Sequence, residues 1–125
     1  AGVCAQLDAD GRITTAPPHT LLSDARGAFT GIDLTEPPLS AAERAQLDRA
    51  VAASGAALAE LGYAGPFSVD AFAHTGGFHA PCEINARHSF GHVTRALGAR
   101  RLGFGQPPPG ATTLVATADV TAWRA

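Results

Sequence analysis

The chain has 125 residues, nine of them basic and eleven acidic, for a formal net charge of −2. That length suits one domain, and the near-neutral balance excludes a polycation built for nucleic acid or an acidic membrane surface. All nine basic residues are Arg, so no lysine of this chain can form a Schiff base or serve as a phosphate-loop amine. Leu, Ile, Val and Phe number 26 and Ala another 27, which allows a hydrophobic core but a thin one. Cys4 and Cys82 are too few for a disulfide scaffold. No charged start leads into an apolar run, and the most apolar stretch, 50–61, is broken by Ser54, Gly55 and Glu60. These features predict a soluble, cytoplasmic domain.

In chain order, Val3, Ala5 and Leu7 alternate with Cys4, Gln6 and Asp8, the period of a strand. Asp8-Ala9-Asp10-Gly11 is turn chemistry, and 12–23 resumes an extended pattern that Pro17-Pro18 confines to an edge or a bulge. After a second turn at Asp24-Ala25-Arg26-Gly27, residues 28–34 form another short strand, so the first third reads as a small antiparallel meander. Pro37-Pro38 stops it. Ser40 and Glu43 then have the spacing of a capping box, and Leu47, Val51, Ser54, Leu58 and Leu61 mark one face of a helix that Gly62 ends. Two β-rich runs, 67–74 and 78–87, follow. A short helix is expected from about Gly91 to Ala99, a rigid loop at 106–110 and a last strand at 112–118. Trp123 reads as a packing anchor. The predicted class is α+β: a mostly antiparallel sheet with helices packed on one face.

The chemistry concentrates in the hairpin. With Gly76-Gly77 as a two-residue loop, Asp70 stands opposite Glu83, Ser68 opposite Asn85 and His74 opposite His79. Alternation then puts Ser68, Asp70, His74, His79, Glu83 and Asn85 on one face, and Val69, Ala71, Ala73, Ala80, Cys82 and Ile84 on the other. Opposed carboxylates lie with their Cβ atoms about 5 Å apart, which is unfavourable unless a proton or a cation compensates. Asn85 adds a neutral oxygen and Arg87 an anion binder. Such a hard oxygen set suits Mg²⁺ completed by water and phosphate, with Arg87 on a phosphate. An ordinary solvated strand face, with Arg87 neutralising Glu83, would show the same spacing. Zinc held by Cys82, His88 and His92 is disfavoured, because the register sets Cys82 on the apolar face. His74 and His79 read as a solvent-facing pair, and Ser89 has no base evident from the sequence.

Gly62-Tyr63-Ala64-Gly65-Pro66-Phe67-Ser68-Val69-Asp70, followed by Glu83-Ile84-Asn85-Ala86-Arg87 and Ser89-Phe90-Gly91, resembles the end of an ATP-grasp domain. The likeness is colinear over about 40–97, and Glu83-Ile84-Asn85-Ala86-Arg87 is its most specific part. The early segment, Leu21-Leu22 before Asp24 to Gly31, more weakly resembles members that form amide bonds in natural-product assembly. The resemblance implies Asp70 as the first metal ligand, Glu83 as the carboxylate bridging two Mg²⁺ ions (or Mn²⁺), Asn85 as a ligand of the second, and Arg87 as the contact to transferred phosphate. Phe72, on the polar face of the hairpin, would wall the adenine ring or else serve as an ordinary packing residue, and the Ser89 loop would lie near the acceptor substrate.

The phosphate-contacting lysine lobe and the substrate domain that precede this region in the family have no counterpart here, in keeping with the missing lysines. The expectation is therefore a single partial domain, 1–125, forming the C-terminal lobe of a longer enzyme. That enzyme is expected to be an ATP-dependent carboxylate–amine ligase acting through an acylphosphate, with ATP, a carboxylate substrate and an amine as partners, and with neither nucleic acid nor membrane. The lobe alone would be inactive, and its uncovered apolar surface would favour a homo-oligomer. The alternatives are an ATP-grasp phosphotransferase and a non-catalytic α+β module with a solvated acidic strand face.

Overall fold

The alternation at the start of the chain builds β1 (Gly2–Leu7), with Val3, Ala5 and Leu7 buried. In the computed structural model, which describes residues 1–98, 101–105 and 115–119, β1 pairs antiparallel with β2 (Ile13–Thr15) on one side. On its other side it pairs with β5 (Gly65–His74). Strand β6 (Gly77–Asn85) completes a sheet of order β2-β1-β5-β6.

Between these elements the chain builds β3 (Thr20–Ser23) and β4 (Phe29–Asp33), which lie in a second antiparallel sheet. That sheet continues through β7 (Arg101–Gly105) and β8 (Val115–Asp119) in the order β3-β4-β7-β8. Two sheets thus replace the single sheet expected, and the first third is not one meander. The switch occurs at Pro17-Pro18, where ladder donors are missing, and His19 joins the sheets. The Gly2 and His19 backbones exchange two hydrogen bonds of 2.9 Å each.

Helix α1 (Ala41–Glu60) starts at the expected capping box: Glu43 N–H donates to Ser40 Oγ, and Ser40 N–H donates to Glu43 Oε2 at 2.8 Å. Gly62, with φ +77°, takes the left-handed position after the last turn. The helix packs on β1, β5 and β6, and Leu47, Ala50 and Val51 join Val3, Ala5, Leu7, Phe67, Val69 and Ala71 in the core. Full burial of residues such as Phe67, Leu7 and Leu47 contributes about 1.5–3 kcal/mol each. Leu61, expected on this face, is instead 84% exposed, because the helix has already ended at Glu60.

The second helix, α2 (Phe90–Ala96), does not share the α1 side. It contacts β1, β4 and β7 and so bridges the two sheets across the opposite face of the first. The last strand is present as Val115–Asp119, and β7 was not anticipated. The loop at 106–110, the first residues of the expected last strand and Trp123 lie outside the described residues. Among the described residues no helix is long and apolar enough to cross a membrane.

Candidate functional site

The β5–β6 ladder decides which side chains meet. Asp70 pairs with Glu83 and Ser68 with Asn85, as the sequence predicts. The turn, however, is Thr75-Gly76, so that His74 pairs with Gly77, and His79 pairs with Phe72 rather than with His74. A register shift between Asp70 and Phe72 restores the predicted pairing below it. There three β6 residues, Ala80, Pro81 and Cys82, span the interval that Ala71 alone spans on β5. Pro81 has no N–H to give a ladder, and the bulge places it where none is required.

The bulge also breaks the alternation of faces. Phe78 and Ala80 lean on the core beneath α1, whereas Cys82 comes round to line a cavity with Asp70 and Glu83. Its expected place away from the acids is thereby corrected. Cys82 stays a thiol, since burial, and then the Asp70 charge, push its pKa up.

The cavity, about 590 Å³, lies between the two sheets. Asp70, Glu83, Asn85 and Arg87 line it together, so the four side chains singled out in the sequence converge on one space. Phe72 lines it as well, half exposed, with its ring 5.8 Å from the His74 ring and 5.5 Å from that of His79. The opposite wall is mainly apolar: Leu21, Leu22, Phe29 and Ile32 come from β3 and β4, and Phe90 from α2, with Ser23 and Ser89 beside them.

The ion pairs among the described residues lie elsewhere on the chain. Arg12 pairs with Asp8, and Arg44 with Glu36 and Asp48; among the described residues neither Asp70 nor Glu83 enters an ion pair. Arg87 does not neutralise Glu83 but donates to the carbonyl of His88 at 3.3 Å. The Asp70 carboxyl is pushed up to about 6, first by burial and then by the Glu83 charge, against an opposing effect of the Ala1 ammonium. Two carboxylates and one amide oxygen facing a cavity fit a hard divalent cation whose remaining ligands are water or phosphate. Among the described residues no three or more of His, Cys, Asp and Glu are set so as to hold a metal ion by themselves, so any metal here would rest on this mixed set.

His19 escaped the sequence reading, because nothing in a Pro-Pro-His run signals burial. It is 1% exposed, lines the same cavity, and its Nδ1 has no hydrogen-bond partner among the described residues. Burial above all, with Arg95 adding, lowers its pKa to about 4, so the ring is neutral. Ser89 does have an imidazole beside it: His92 Nδ1 lies 3.1 Å from Ser89 Oγ and accepts from the Ser89 N–H at 3.1 Å. That second bond commits the nitrogen to holding the start of α2. His88 and His92 line a separate cavity of about 400 Å³ with Cys4 and Arg95, away from Cys82.

No protein-family model matches the chain, and no curated protein matches it as a relative.

Proposed function

We propose that the chain is the C-terminal, ATP- and Mg²⁺-binding portion of an ATP-dependent carboxylate–amine ligase that works through an acylphosphate. The observation that carries this reading is the convergence of Asp70, Glu83, Asn85 and Arg87 on one cavity, where among the described residues neither acid enters an ion pair. Asp70 and Glu83 would hold Mg²⁺ (or Mn²⁺), with Asn85 offering its amide oxygen. The ion, when bound, supplies positive charge against phosphate oxygens.

Among the described residues the Arg87 guanidinium is engaged by a neighbouring backbone carbonyl alone, and it is the group to stabilise charge that develops on a phosphoryl in transfer. Phe72 would lie against the adenine. In the reaction the resemblance implies, a carboxylate oxygen attacks the γ-phosphorus and ADP leaves. An amine nitrogen then attacks the acyl carbon, and phosphate leaves with the old C–O bond pair. The metal–phosphate site is supported by the geometry, whereas ligation through an acylphosphate is supported by the sequence resemblance alone.

Titration of the chain with ADP in the presence and absence of Mg²⁺ tests the site. Binding should tighten at least tenfold with Mg²⁺, and Glu83→Gln and Asn85→Ala should each abolish that gain. Equal binding with and without metal, or a gain that survives Glu83→Gln, would overturn the assignment.

A further inference from the structure

The cavity has two chemically distinct sides. The hairpin side carries Asp70, Glu83, Asn85 and Arg87; the facing side carries Leu21, Leu22, Ile32, Phe29 and Phe90, with Ser23 and Ser89 among them. Phe29 and Phe90 stack with ring centroids 5.9 Å apart and planes 18° from parallel, although one belongs to β4 and the other opens α2. Both line the cavity and are nearly half exposed, at 44% and 48%, so the pair adds apolar surface to its wall. A nucleotide phosphate has no use for such a wall, and a fully polar acceptor would leave it wet.

We infer that the site takes an organic acid with an aromatic or bulky aliphatic body, its carboxylate towards Arg87 and its apolar part against Phe29 and Phe90. This rests on the reading of the hairpin side as the phosphate-facing end, and it specifies the carboxylate substrate class that the proposed reaction leaves open. Arg87 orients the ligand: it lines the cavity and, among the described residues, enters no ion pair, so it can take the carboxylate, while an apolar body gains by displacing water from the aromatic wall. The volume, about 590 Å³, holds a small aromatic acid beside a phosphate group.

The probes are 3-phenylpropionate, acetate and 3-phenylpropanol, added to the chain while aromatic and methyl resonances are followed by NMR. 3-Phenylpropionate should shift the Phe29 and Phe90 rings and the Leu22 methyls, and bind at least tenfold more tightly than acetate. Phe29→Ala should weaken it at least fivefold, and Phe90→Leu should do the same if the wall as a whole is recognised. Arg87→Gln should bring the acid down to the level of the alcohol. Equal binding of acetate and 3-phenylpropionate, shifts confined to other parts of the chain, or indifference to both aromatic substitutions would overturn the inference. Mg²⁺-dependent ADP binding separates the two claims: if it persists without ring shifts, only the acid pocket fails. Ring shifts without Mg²⁺-dependent ADP binding overturn the metal–phosphate assignment instead.

Discussion

His19 and Asp70 meet over a missing side chain. A Cβ on Gly2 would stand 2.6 Å from His19 Nε2 and 2.9 Å from Asp70 Oδ1, so the imidazole and the carboxylate are within about 5.5 Å of each other. Gly91 closes the other side, where a Cβ would come 2.8 Å from His19 Cε1 and 2.6 Å from Cys4 Sγ. The buried ring is thus clasped between β1 and α2, at the joint of the two sheets and next to the acid pair. Gly91→Ala should cost about 1–3 kcal/mol in urea unfolding, despite the better helix propensity of Ala, because the added methyl forces both the buried ring and the thiol to shift. An unchanged midpoint would show that His19 is not held there.

The same two groups oppose each other in pH dependence. Asp70 has a folded pKa of about 6, above its ordinary 3.8, so the stability it contributes is present below pH 4 and lost as pH rises through 6. His19, lowered from 6.5 to about 4, contributes stability that is present above pH 6.5 and lost as pH falls through 4. Across pH 4–6.5 the two contributions run in opposite directions. Asp70→Asn removes the first and should steepen the rise of stability with pH over that window, in metal-free buffer. A flatter profile in the variant would contradict the assignment.

Glu83→Gln removes the second cause of the Asp70 shift and leaves the first. The Asp70 carboxyl should therefore titrate lower than in the parent chain but still above 3.8, since burial is the larger effect. Carboxyl ¹³C shifts followed against pH measure this directly. No movement of the Asp70 titration would mean that the two acids do not sense each other across the ladder.

Core and helix end should respond very differently to truncation. Phe67 is fully buried against α1, and Phe67→Ala is expected to cost about 3–5 kcal/mol, a large fraction of the stability of a domain of this size. Leu61→Ala, at 84% exposure beyond the last helical turn, should shift stability by less than about 0.5 kcal/mol. Comparable losses at both positions would place the helix end wrongly.

Much of the local structure was legible because local chemistry specifies it: Ser40 with Glu43 starts α1, Gly62 ends it, and alternation marks β1. The pairing of Asp70 with Glu83 was also readable, but through two departures that cancel. The turn lies one residue earlier than Gly76-Gly77 suggests, and the bulge at Pro81 restores the register. Neither is encoded in the period of the strand, so His79 was set opposite His74 and Cys82 on the wrong side.

The division into two sheets was not legible. Pro17-Pro18 announces a break but not which partners the next strand will find. The burial of His19 and the stacking of Phe29 on Phe90 are long-range results of that division, and no periodicity reports them.

The most direct test of the central claim is paramagnetic broadening of the chain's NMR spectrum by Mn²⁺ in the presence of ADP. The account predicts that Asp70, Glu83, Asn85 and Arg87 signals broaden first, that Phe72 follows, and that Glu83→Gln removes the effect. Broadening centred on the exposed acids of α1, or none around Asp70 at millimolar Mn²⁺ and ADP, would contradict a metal–phosphate site in this cavity.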